Sequence, residues 1–193
     1  MLRNTALAWG WPAKALHWIA AAIIVLLLAH GWWMTHLAPR DGRLAHYSGH
    51  AMLGYDLLAL TVIRLLWRWL NPVPQLPADL KAWERLSAQI GHAGLYVLML
   101  AASVSGWVLA GTFRAPMNRD LFGLHFPAIV SGGSPTVAST ADRSLHELLE
   151  GAHSIVSWLL ALVVVVHVIG ALRHHLGKHN DILRRMTWGA RAG

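Results

Sequence analysis

The stretch His153-Ser-Ile-Val-Ser-Trp-Leu-Leu-Ala-Leu-Val-Val-Val-Val-His167 places two histidines at the ends of thirteen uncharged residues. A segment so apolar reads as membrane, where ionisable side chains are costly and tend to face a bundle interior with a function. Fourteen residues at 100° each turn the helix through about 1400°, within about 40° of whole turns, with a rise of about 21 Å. Both imidazoles therefore lie on one face, separated by most of the hydrocarbon thickness.

The rest of the chain agrees with this reading. Of its 193 residues, 55% are hydrophobic and 13% charged, against roughly 25% charged in a soluble domain. Mean hydropathy is +0.44, and the 11 tryptophans are of the type that collects at bilayer interfaces. With no cysteine, disulfides, iron–sulfur ligation, thiolate metal sites and covalent haem attachment are excluded. Histidine is abundant, with 13 copies. The net charge of +7 is read as cytoplasmic loop charge rather than as a nucleic-acid surface.

Four spans of about the length needed to cross hydrocarbon are expected, near residues 15–34, 49–70, 89–111 and 148–172. The first ends in Ala29-His30-Gly31-Trp32-Trp33 without a small-residue cleavage pattern, so it is expected to be a retained helix. Asn71-Pro-Val-Pro-Gln-Leu-Pro77 breaks the chain after the second span, and Ser131-Gly-Gly-Ser-Pro135 punctuates the long third connection. The expected fold is all-α: one integral membrane domain over 1–193, a four-helix up-down-up-down bundle. With the N-terminus inside, Lys and Arg divide 11 inside to 5 outside, so both termini are expected in the cytoplasm.

Depth then pairs the histidines. His17 opens span one and His167 lies in the inner half of span four, while His50 and His153 both lie near the outer face. Haem b held by two imidazoles is the simplest cofactor for such pairs and needs no cysteine. The expected iron ligands are His17 with His167 and His50 with His153. His92 is the rival to His17. His46 and His146 are placed close to water, His30 is rotated roughly 140° from the His17 face and is expected to hydrogen-bond at the interface, and His36, His125 and His179 read as solvent-side residues.

Other polar residues have open readings. His174 continues the His153/His167 stripe, either as a snorkelling basic helix end or as a proton donor beside a quinone. Arg64 and Arg68 share a face at the inner end of span two; they snorkel or pair with haem propionates. Asp56 is expected to be protonated, hydrogen-bonded or near water, with no assigned role.

The chain resembles the bacterial four-helix di-haem cytochrome b561 family over nearly its full length. The matching pieces are Leu-His17-Trp, His50-x-x-x-Gly54, Val62-Ile-Arg64-Leu-Leu, and Gly91-His92 with Tyr96. To these add the His153/His167 spacing, Ala171-Leu-Arg-His174-His175 and Leu183-Arg-Arg-Met186. The resemblance implies that His17, His50, His153 and His167 are the axial ligands of two haems. Within the family, Phe122-Gly-Leu-His-Phe-Pro127 and the position of His174 look like the superoxide oxidase branch (superoxide:ubiquinone oxidoreductase). That likeness implies superoxide as donor outside, ubiquinone as acceptor near Lys14 and His174 inside, and the bacterial inner membrane as location. His46, His146 and the Ser-Gly-Gly-Ser-Pro loop depart from the pattern.

Three functions compete. The first is this self-contained oxidoreductase. The second is a haem-b membrane anchor linking a dehydrogenase or soluble redox protein to quinone, and the third, ranked last, is a haem-free carrier. Outer bases and acids number five each, so net charge does not decide whether the anion superoxide is steered in.

Overall fold

The structure, a computed structural model, describes residues 1–39, 41–76, 80–113, 120–121, 124–125, 127, 140–176 and 182–187. The loop at 131–135, His179, and the side chains between 120 and 125 lie outside the described residues.

Four long helices dominate: α1 (Trp11–His36), α2 (Arg43–Leu70), α3 (Ala82–Gly111) and α4 (Thr140–Leu176), followed by a short α5 (Ile182–Met186). All four long helices are apolar and long enough to cross a membrane. Each contains one expected span and runs past it at one end or both. The excess is largest in α4, whose 37 residues extend about 55 Å, well beyond about 30 Å of hydrocarbon. Its first turns carry Arg143, His146, Glu147 and Glu150. Hydropathy marks where lipid ends, whereas helical hydrogen bonding continues through polar residues into the interface. Between α3 and α4 the connection holds a two-residue antiparallel pair, β1 (Asp120–Leu121) with β2 (Leu124–His125), in register Asp120↔His125.

Local chemistry sets the helix ends. Pro12 lies in the first turn of α1, where its missing N–H costs nothing. Gly42 precedes α2 with φ +82°, a left-handed conformation that glycine adopts without Cβ strain. The Glu84 carboxylate accepts the Lys81 backbone N–H at 3.0 Å and brings negative charge to the N-terminus of α3, where the helix dipole favours it. The proline-rich stretch after α2 is also a docking strip for the N-terminus. Buried Asn4 donates to the Pro72 carbonyl (3.1 Å) and accepts from Gly10 N–H (2.9 Å). Gln75 N–H donates to the Ala6 carbonyl, 2.8 Å.

α1 packs on α2, α2 on α3, α3 on α4, and α5 on α4. The core joins Ala20, Ile24 and Leu27 of α1 to Leu57 of α2, Met99 and Ala102 of α3, and Leu160 of α4. Only 6–22% of the most apolar window of each long helix is buried within the molecule. Val25, Leu26, Ile63, Val97, Leu162 and Val166 instead face outward. So much outward apolar surface far exceeds what a soluble monomer shows and matches a chain solvated by lipid.

Candidate functional site

Both histidine pairs expected from depth are brought together, each across two helices. At one end of the bundle, His50 of α2 and His153 of α4 have ring centres 6.2 Å apart, with the planes at 88°. At the other, His17 of α1 and His167 of α4 are 6.3 Å apart, at 64°. A metal bound by one nitrogen of each ring, with bonds of about 2.0 Å, leaves the ring centres about 6 Å apart. Both separations are of the size that a single ion between the two rings would require.

The His50/His153 end contains a cavity of about 650 Å³ lined by residues from all four long helices, among them Gly31, His50, Tyr55, Gly106 and His153. Two glycines make room for the rings. A Cβ at Gly106 would stand 3.0 Å from His153 Cε1, and one at Gly31 would stand 3.2 Å from His50 Cε1. Ser105 Oγ lies 3.0 Å from His153 Nδ1 and donates its own proton to the Ala102 carbonyl at 3.1 Å. With Nδ1–H donating to Ser105, the other ring nitrogen is left free as a ligand, the arrangement by which a second partner orients a metal-binding imidazole. Facing it, His50 Nδ1 is buried with no hydrogen-bond partner. An unmet polar atom in an apolar cavity costs about 1–3 kcal/mol, a cost that a polar or metal-bearing guest bound at this nitrogen would offset.

Two neighbouring histidines, His30 and His146, occupy places that the sequence did not foresee, whereas His36 is on the solvent side as expected. His30, expected at the interface, sits 5.9 Å from His50 and 6.0 Å from His46, stacked on Trp33 at 5.8 Å. His146 is held at the cavity mouth, its Nδ1 2.6 Å from Thr112 Oγ1 and its ring against Phe113. His36 is exposed and bonded to its own helix through Trp32.

At the opposite end, Arg64 Nη2 donates to His17 Nδ1 at 2.8 Å, and the guanidinium lies 5.4 Å from the centre of the Tyr96 ring. Arginine accepts no hydrogen bond, so His17 Nδ1 accepts here and its proton resides on the other nitrogen. A metal at that other nitrogen would require the proton on Nδ1, and Arg64 would then have to turn to another acceptor. His92, the rival ligand, is closer to His167, at 5.3 Å, and its ring bonds to the Ala88 backbone. Arg68 is half-buried one turn beyond Arg64, and Asp56 is half-buried in α2.

Lys14 lines a groove of about 410 Å³ with Trp11, Ala15, Trp18, Met186 and Thr187. Trp18 Nε1 clasps the end of α5 by donating to the Met186 carbonyl at 2.9 Å, and Lys14 Nζ reaches the Thr187 carbonyl at 3.5 Å. His174 is half-buried on α4 and is not part of this lining.

Sequence reasoning missed Gly31, Gly106, Ser105 and Thr112. A glycine inside an apolar helix does signal close approach of another group, but not which group approaches.

The family described as Prokaryotic cytochrome b561 matches residues 8–189. The chain belongs to the prokaryotic cytochrome b561 family. It is similar to cytochrome b561 homolog 2 of Escherichia coli (strain K12), 31% identical over 185 residues, which covers 95% of this chain and 93% of the relative. It is also similar to the probable superoxide oxidase CybB of Yersinia pestis, 26% identical over 175 residues, covering 89% and 91%. As a cytochrome b561 it is a multi-pass membrane protein of a haem-b redox family.

Proposed function

We propose that this cytochrome b561 holds two haems b, one between His50 and His153 and one between His17 and His167, and passes electrons from superoxide outside to ubiquinone inside. Two pairs of imidazoles at the same separation, 6.2 and 6.3 Å, carry the reading. Among the described residues no group of three or more histidines or carboxylates forms a metal site. An ion held by two imidazoles needs its other positions filled, which a macrocycle does. Haem iron with two imidazole ligands supplies one-electron exchange with no open coordination position.

The chain's own residues divide the work. Ser105 fixes the His153 tautomer, Gly31 and Gly106 admit the rings, and the apolar cavity wall excludes water. Arg64 and Arg68 are cations suited to haem propionates once Arg64 leaves His17. The quinone is proposed to sit near Lys14 and His174 at this end of the bundle, with His174 as proton donor; because His174 is not in the lining of the Lys14 groove, the proposed site extends beyond that groove towards the end of α4.

Contacts between helices support an up-down-up-down path: His17 in the first third of α1 meets Arg64 late in α2, Arg64 meets Tyr96 midway along α3, and His92, one turn earlier in α3, meets His167 late in α4. The charge bias of the loops supports a cytoplasmic location for both termini, and the family likeness supports the bacterial inner membrane.

Superoxide as donor is supported by the name of the 26% relative. A second reading, a haem-b anchor fed by a redox protein, is favoured by one observation: Glu147 and Glu150 line the mouth of the His50/His153 cavity, and carboxylates repel an anion. The deciding experiment runs a superoxide generator beside the oxidised protein. Reduced haem b bands that are abolished by superoxide dismutase and drained by ubiquinone are expected. Bands that stay oxidised would favour the protein-donor reading.

The close approach at Gly106 makes a further prediction. Gly106→Val should empty the His50/His153 end, because the added carbons collide with the His153 ring. Haem content per chain is expected to fall by about half while helix content by circular dichroism is unchanged. Full haem content would remove the proposed cofactor from this cavity.

A further inference from the structure

Charge is distributed unequally around the two imidazole pairs. At the His17/His167 end, Arg64 Nη2 lies 2.8 Å from His17 Nδ1, within electrostatic reach of His167 and His92 as well. Arg68 follows one turn later on the same face, half-buried like Arg64, and also within reach of His92. Arginine keeps its charge at every accessible pH. The other end differs. Glu147 and Glu150 are the charged residues in the described lining of its cavity, and the groups within reach of His50 are the imidazoles of His153 and His30.

A fixed positive charge favours the form of a redox centre that carries the extra electron, and a fixed negative charge disfavours it. We propose that Arg64 and Arg68 make the His17/His167 centre the higher-potential one of the two, so that a single electron entering the protein rests there. This inference rests on the two-haem reading and adds its direction: one electron is taken up, one centre is reduced, and the field draws it away from the acidic mouth towards the end that holds Lys14. Arg64 contributes most, because it is half-buried and next to an axial ring. Exposed Glu147 and Glu150 are screened by water and salt, and contribute less. Arg64 turning from His17 to a propionate on loading leaves it within the same site. Removing the guanidinium then leaves that carboxylate uncompensated, which lowers the potential of the centre in the same sense.

The test is an anaerobic redox titration of the full-length protein in lipid nanodiscs, following the haem bands. Arg64→Gln is expected to lower the higher midpoint and to move the resting place of the first electron at least tenfold towards the His50/His153 centre, equivalent to 59 mV for one electron. Arg64→Lys, which keeps the charge, should restore most of the gap, whereas a merely structural role would not distinguish the two. Arg68→Gln should shift the same midpoint in the same direction by less, and it decides the matter if Arg64→Gln fails to assemble. Glu150→Gln should raise the lower midpoint. His153→Ala, retaining only the His17/His167 haem, should keep the higher potential. Unchanged midpoints in both arginine variants, or retention of the lower potential in His153→Ala, would overturn the inference. A single haem in the wild-type protein would instead remove the two-haem reading beneath it, and the haem count tells these failures apart.

Discussion

Purified His153→Ala protein is expected to carry one haem b per chain where the proposed function gives the wild type two, measured as extracted haem against protein. His153 is the ring that faces His50, 6.2 Å away, and His146, which lines the same cavity, is held against Thr112 and Phe113. His30 lies on the His50 side, 5.9 Å from that ring. The second centre survives because it is about 21 Å away along α4, far enough for independent behaviour. Ser105→Ala is the milder form of the same experiment. It leaves the ligand but removes the partner at 3.0 Å that sets its tautomer, and losses of that kind weaken metal affinity by about 10–100-fold. Two haems retained in His153→Ala would mean that the ring serves another purpose.

The second large effect separates His17 from His92. His17→Ala is expected to lose the haem at the Arg64 end, and His92→Ala to keep both. The His17 ring is 6.3 Å from His167, the separation of a shared axial ion, whereas the His92 ring is 5.3 Å away and bonded to its own helix at Ala88. Haem content and the visible spectrum of each variant read the outcome directly. A haem lost from His92→Ala and kept in His17→Ala would exchange the two assignments and leave Arg64 as the partner of a structural histidine.

How much of this was legible beforehand differs from residue to residue. The four spans emerged from hydropathy alone and all lie inside the observed helices, but the polar extensions of α2 and α4 did not. Helix continuation beyond lipid depends on local hydrogen bonding, on which hydropathy is silent. The meeting of His17 with His167 and of His50 with His153 followed from depth. The neighbourhood of His30 did not. Its rotation of roughly 140° from His17 was a correct statement about α1 alone, yet in a ring of four helices a side chain turned from one neighbour faces another. Arg64 was placed on the right face without any sign that it would bond His17.

The sequence by itself determined the number of membrane-length helices, the place of each paired histidine along its helix and the face it shares with others on the same helix. Rise and turn per residue are constants of the α-helix, and lipid demands that the helices form. Only the tertiary structure decided which rings meet, that Gly31 and Gly106 let them approach, that Ser105 orients His153, and that positive charge gathers at one end. Those relations run between helices, where lateral packing of side chains sets the distances, and no periodicity within one helix encodes its neighbour.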